Sequence, residues 1–242
     1  MSSIPLSCYA HVKRTGTETT DDKNKRPPAP TLYTDVCWCG DRSGSMASMG
    51  DSPLEGAEIF MKDHKKLAND INPLYGYHLE FTTFDNHSSI EYNDDAKSIT
   101  DEDIKNAKDA MRPRGTTKFY DTAIMCVDRQ QKRVNAIIDS LPMDLRNLVY
   151  ENSHLITTIF ATFTDGQDNE SIADADALKR AINRHKNKYN AICMFLAANI
   201  DAENTGVNSG FDPRLCMQMG NDRVSSGNAF RACSAATARA AS

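Results

Sequence analysis

The sequence predicts an α/β fold, a mostly parallel sheet with helices on both faces, and three observations carry that expectation. Strand-like and helix-like segments alternate from Thr31 onward, the pattern of parallel strands joined by helical crossovers. Two apolar runs, Leu32 to Trp38 and Ile156 to Phe163, end close to carboxylates, Asp41 and Asp165. The longest helical pattern, Phe119 to Leu141, lies between them.

Residues 1–31 are polar and finish in Arg26-Pro27-Pro28-Ala29-Pro30. Such a segment buries too little to order itself, and its prolines favour an extended linker. The folded domain is therefore expected over 32–242. Its first strand closes in Asp41-Arg42-Ser43-Gly44-Ser45-Met46. Leu54 to Ile71 follows as a helix with Leu54, Ala57, Phe60, Met61, His64 and Leu67 near one face, and Pro73 lies beyond its end. His64 and His185, both on predicted helices, are expected at or near the surface. Tyr77 to Phe84 reads as a strand and Ser89 to Tyr92 as a short antiparallel edge strand. Thr100-Asp101-Glu102-Asp103 starts a helix that runs to Met111, and Pro113 ends the pattern. The Phe119–Leu141 helix carries Ile124, Val127, Val134, Ile137 and Ile138 as its apolar stripe. Residues 142–153 read as a connection to the strand before Asp165. Ile172 to Lys188 is predicted as a helix, Asn190 to Ala198 as a strand and Ala229 to Ala240 as a closing helix.

Composition narrows the function. The 242 residues suffice for one α/β domain with a substantial core. Lys plus Arg is 28 against 33 Asp plus Glu, a net charge of −5, which gives no support for nucleic-acid binding. Seven cysteines, an odd number, sit mostly in apolar runs and read as reduced thiols of a cytoplasmic protein. Cys37-Trp38-Cys39 could suggest soft-metal binding, but alternation within the first strand makes core packing the better reading. Met1-Ser2-Ser3-Ile4-Pro5-Leu6-Ser7 lacks the basic and apolar regions of an export signal. The longest unbroken apolar run, Ala191 to Ala198, is too short to span a bilayer.

Asp41, Ser43 and Ser45, at alternating positions in a tight turn, can aim three oxygens at one point. Open α/β sheets bind ligands outside the carboxyl ends of their strands. A carboxylate and two hydroxyls suit a hard cation. Plainer roles are available for each residue. The serines could cap the next helix, Asp165 could be turn chemistry before Gly166, and Thr117 could cap the long helix. Asp85 also ends a strand near these residues, and is expected to hydrogen-bond behind the ligands or meet solvent.

Asp41-x-Ser43-x-Ser45, Arg114-Gly115-Thr116-Thr117-Lys118-Phe119-Tyr120-Asp121 and Thr164-Asp165-Gly166 resemble, in order, the three ligand loops of von Willebrand factor A domains. Phe195-Leu196-Ala197-Ala198-Asn199-Ile200-Asp201-Ala202 and the segment from Ala229 are similar to small bacterial and viral members. The resemblance implies a doubly wound, six-stranded sheet and a metal-ion-dependent adhesion site. It places Asp41, Ser43, Ser45, Thr117 and Asp165 as ligands of Mg²⁺ or Mn²⁺. Counting back from Tyr120-Asp121 selects Thr117, with Thr116 as the fallback in the position usually held by a second glycine. The implied function is protein recognition, in which an Asp or Glu carboxylate of a partner completes the metal shell, in a monomer that binds neither nucleic acid nor membrane. An alternative is an accessory subunit of a chelatase or MoxR-type ATPase. A metal-dependent phosphoesterase is the enzymatic alternative. Against it, the ligand loops offer no evident general base and no second carboxylate cluster, and the chain has no phosphate-binding Gly-Lys-Ser/Thr loop.

Overall fold

The computed structural model describes residues 31–72, 74–151, 155–165, 168–220 and 223–241, the last helix being described by backbone alone at 223–226 and 241. The polar tail expected over 1–31 lies outside these residues except for Thr31. That residue belongs with the domain, because it is buried and its hydroxyl lies 3.0 Å from that of Thr157.

Six strands form one sheet: β1 (Tyr33–Asp41), β2 (Gly76–Phe84), β3 (Ser88–Asp95), β4 (Ile156–Thr164), β5 (Ile192–Ala198) and β6 (Cys216–Met219). Their spatial order is β3-β2-β1-β4-β5-β6. Every pair is parallel except β2 with β3, the expected antiparallel edge. Seven helices are described: α1 (Ser52–Asp70), α2 (Asp101–Ala110), α3 (Phe119–Ser140), α4 (Met143–Glu151), α5 (Ala175–Tyr189), α6 (Ala202–Asn208) and α7 (Arg223–Ala241). The architecture is doubly wound, as the sequence predicts. None of the described helices is long and apolar enough to cross a membrane.

Strand alternation divides the core in two. Val36 and Trp38 of β1 point to one face, where they join Phe60 and Met61 of α1, Ile104 of α2 and Phe230 of α7. Cys37 and Cys39 point to the other, with Cys126 and Val127 of α3 and Leu178 and Ile182 of α5. Core packing is thus what Cys37-Trp38-Cys39 does, each side chain on the face that its parity dictates. The Trp38 ring lies 4.6 Å from that of Phe60 and 5.2 Å from that of Phe230. Helices α1 and α7 approach closely because Gly56 has no side chain; a Cβ there would stand 2.0 Å from the Phe230 ring.

Element boundaries follow local chemistry. Thr100 and Asp103 form the expected capping box at the start of α2. Helix α5 begins at Ala175, three residues later than expected. The Asp174 carboxylate caps it, while Asp121 holds the Ile172 and Ala173 amides outside the helix. Residues 142–153 are more than a connection, since α4 forms there and buries Leu145 and Val149. Helix α6 and strand β6, four residues long, are too short to show a period.

Both histidines expected near the surface are fully buried. His64 Nδ1 lies 2.7 Å from the Tyr77 hydroxyl, and His185 Nε2 lies 2.9 Å from Gln130 Oε1. Burial lowers their pKa values from 6.5 to about 3 and about 4 respectively. Each therefore stays neutral in the fold while its unfolded counterpart gains a proton. The resulting stability is fully present above pH 6.5 and is lost as pH falls toward the folded values. Each histidine costs about 1.4 kcal/mol per pH unit across that window. The slope of unfolding free energy between pH 6 and 4.5, measured by urea titration, is expected to be shallower in His64→Gln by about one proton's worth. An unchanged slope would contradict the buried, neutral His64.

Candidate metal centre

Strands β1 and β4 lie side by side, and the chain winds outward from them in opposite directions. Their carboxyl ends therefore open on a crevice at the switch point of the sheet. Asp41 ends β1 and Asp165 follows the last residue of β4. The Asp41 carboxylate is fully buried; Oδ1 accepts the Ser43 amide at 2.7 Å and Oδ2 accepts the Thr164 hydroxyl at 2.6 Å. The first bond is an Asx turn, which folds the chain back over the strand end. It brings Ser43 Oγ within 3.0 Å of Ser45 Oγ, and Ser45 Oγ donates to Asp165 Oδ1 at 2.7 Å.

Neither plain role for the serines matches this geometry. Ser43 precedes the 3₁₀ segment Gly44–Met49, yet its hydroxyl makes no cap bond, and Asp51 occupies the N-cap position of α1. Lys118, not Thr117, occupies that position of α3.

Thr117 stands between the first and third loops. Its amide donates to Asn169 Oδ1 at 2.9 Å, and its carbonyl accepts the Asn169 and Glu170 amides. Two residues earlier, the Gly115 carbonyl accepts the Gly44 amide at 3.0 Å. Thr117 is buried whereas Thr116 is exposed. Gly115 carries the positive φ of this loop, +70°, and a Cβ there would lie 2.7 Å from Asn86 Oδ1. The left-handed residue is thus the one glycine that is present. Thr116 keeps a negative φ, so the loop accepts a side chain where a second glycine is usual.

Asp85 organises these loops. Its carboxylate accepts Arg42 Nε at 3.0 Å, Arg114 Nε at 2.8 Å and the His87 amide at 2.7 Å. Its carbonyl accepts the Lys118 amide, and the Arg114 amide donates to the Arg42 carbonyl at 2.7 Å. Burial alone would raise the Asp85 pKa, but the His87 amide and the two guanidinium groups outweigh it and hold the carboxyl below its ordinary range. Of the two roles expected for Asp85, the structure shows hydrogen bonding and not contact with solvent. Sequence reasoning missed Arg42, Thr164, Asp168 and Asp121. Asp168 accepts the Tyr120 amide and the Ser171 hydroxyl, and Asp121 accepts the Ile172 and Ala173 amides, so both pin the third loop to the start of α3.

The two carboxylates in the crevice lack such compensation. Burial raises the Asp41 pKa from 3.8 to about 6, against the opposing bonds from Thr164 and Ser43. Burial also raises that of Asp165, against Ser45 and Asn199. Asp165 Oδ2 is buried with no hydrogen-bond partner among the described residues. Two desolvated carboxylates, adjoining hydroxyls and one orphaned oxygen fit a hard divalent cation, whose charge would offset theirs.

No family model matches the sequence, and no curated protein matches it. Solved structures do. A von Willebrand factor type A protein from Catenulispora acidiphila aligns over 87% of this chain and 43% of its own, at 16% identity and a TM-score of 0.52. The von Willebrand factor domain of the type V pilus tip protein Mfa5 from Porphyromonas gingivalis aligns over 86% and 96%, at 10% identity and a TM-score of 0.56. Proximal thread matrix protein 1 from the mussel byssus, with a zinc-occupied MIDAS motif, aligns over 86% and 46%, at 14% identity and a TM-score of 0.51. The chain spans less than half the length of the first and third of these.

The loop clamp predicts an asymmetric mutational response. Asp85→Asn leaves the Arg42 side chain, 6% exposed, without its main counter-charge, and should cost about 3 kcal/mol of stability in urea unfolding. Arg114→Ala, which truncates a side chain 64% exposed, should cost less than about 1 kcal/mol. Equal losses would contradict the clamp.

Proposed function

We propose that this chain, whose fold is that of von Willebrand factor A domains, is a metal-dependent protein-binding module. Asp41, Ser43, Ser45, Thr117 and Asp165 would hold one divalent cation, Mg²⁺ or Mn²⁺, at the crevice. The observation that carries this reading is the continuous set of contacts from Asp41 through Ser43 and Ser45 to Asp165, which ends in an unpartnered buried oxygen. The zinc-occupied motif of the mussel protein supports divalent metal binding on this fold. Pilus proteins among the similar structures, Mfa5 and the Lactobacillus rhamnosus adhesin SpaC, support a role in protein recognition.

When bound, the cation supplies an exchangeable coordination position that a partner's Asp or Glu carboxylate can fill. The protein's part is orientation. The Asx turn aims Ser43 and Ser45, Thr164 fixes Asp41, and Asp85 keeps the first two loops together through Arg42 and Arg114. With both crevice carboxylates assigned to the cation, this reading takes the site as one for binding and not for hydrolysis. An accessory subunit docking on a chelatase or MoxR-type ATPase would use the same chemistry with a different partner.

Isothermal titration with Mg²⁺ and Mn²⁺ should show one saturable site that Asp41→Ala removes. Thr117→Ala, which deletes one neutral ligand, should weaken binding about tenfold, a loss of about 1.4 kcal/mol. Thr116→Ala should leave it unchanged. Damage from Thr116→Ala alone would move the second ligand by one residue. Equal binding by wild type and Asp41→Ala would refute the site, and metal-dependent turnover of a phosphoester would refute the binding role.

A further inference from the structure

On the α3 face of the sheet, below the crevice, three thiols and a carboxylate meet in the core. Cys37 and Cys39 project from β1, Cys126 from α3 and Glu80 from β2, all fully buried. The ligand atoms of Cys37, Glu80 and Cys126 lie within 4.8 Å of one another, and Cys37 Sγ is 3.6 Å from Glu80 Oε1. Cys39 lies in the same core cluster, outside that set of three.

Two arginines border the cluster. Arg129 Nη2 lies 2.6 Å from Glu80 Oε1 and 3.3 Å from Cys126 Sγ. Arg133 Nη1 binds Glu80 Oε2, and Arg133 Nη2 reaches Asp35 Oδ1 at 3.0 Å. With neutral thiols, the charges of Glu80 and Asp35 cancel those of Arg129 and Arg133. Exchanging two thiol protons for one divalent cation leaves the net charge of the protein unchanged.

We propose that Cys37, Cys126 and Glu80 form a second metal site for a thiophilic divalent cation of the Zn²⁺ class. Two sulfurs with one carboxylate oxygen make a zinc-type donor set, unlike the all-oxygen set at Asp41 and Asp165. Arg133 keeps its bond to the outer oxygen of Glu80, the kind of outer contact that orients a metal ligand. Arg129 must give up the inner oxygen, and its side chain, 24% exposed, can swing toward solvent and open the path of entry. Binding releases the Cys37 and Cys126 protons to solvent. The occupied site would cross-link β1, β2 and α3, the elements that lead into Asp41, Asp85 and out of the Thr117 loop.

The test uses the full-length reduced chain, cleared of metal, with Cys8→Ser and Cys216→Ser in every sample, so that the thiols left outside the cluster are the buried Cys193 and Cys233. Titration with Cd²⁺, a probe for Zn²⁺, should give a near-ultraviolet sulfur-to-metal charge-transfer band saturating at one equivalent, and raise the thermal midpoint by several degrees. The band should persist in Asp41→Ala and disappear in Cys126→Ser. Arg129→Ala, which removes the competitor for Glu80, should tighten Cd²⁺ binding at least severalfold and serves as the second variant should Cys126→Ser fail to fold. No band in the parent chain, a band retained by Cys126→Ser, or unchanged affinity in Arg129→Ala would overturn the proposal.

Discussion

The Asp85 carboxylate, held between Arg42 and Arg114, is the constraint on which the crevice depends. Arg42 lies within the loop after β1 and Arg114 opens the loop before α3, so one carboxylate at the end of β2 registers both. The Asp85 carbonyl extends the same hold to Lys118, at the entry to α3. Removing one charge of such a buried pair exposes the full desolvation cost of the other. This explains why Arg42 can sit inside a loop of otherwise small residues. Its charge is committed to Asp85, 3.0 Å away, and the Asp41 carboxylate is met by the Ser43 amide and the Thr164 hydroxyl instead.

That division of charge gives the domain two kinds of buried carboxylate. Asp85 and Glu80 are matched by guanidinium groups, and their pKa values fall despite burial. Asp41 and Asp165 have hydroxyl and amide partners, and their values rise. The contrast arises within one sheet and among residues of comparable burial. The proposed cation site thus differs from its surroundings in lacking counter-charge as well as in shape. The switch point between β1 and β4 supplies the geometry, because adjacent parallel strands deliver Asp41 and Asp165 to the same edge.

Much of this was legible in the sequence, and what was not has physical reasons. Strands β1 and β4 are buried on both faces and read as near-continuous apolar runs, so their terminal carboxylates could be placed before any coordinates. The Asp41, Ser43 and Ser45 spacing indicated a tight turn, and the structure adds the Ser43 amide bond to Asp41 that closes it. Helix α4 was hidden because Met143 and Tyr150 are exposed apolar residues, which blurs its amphipathic stripe. His64 and His185 were misplaced because a polar side chain on a helix gives no sign that Tyr77 or Gln130 awaits it across the core. The link from Asp85 to Arg42 and Arg114 joins positions 43 and 29 residues apart, and no local pattern reports it. Cys37 and Cys39 revealed their burial through parity, but their neighbours Cys126 and Glu80 come from other elements.

The most direct test of the account is a crystal structure grown with Mn²⁺ and analysed by anomalous diffraction. A single strong anomalous peak is predicted at the carboxyl ends of β1 and β4, bounded by Asp41, Ser43, Ser45, Thr117 and Asp165. At Mn²⁺ concentrations that saturate the protein in solution, an empty crevice, or a peak held by other side chains, would contradict it.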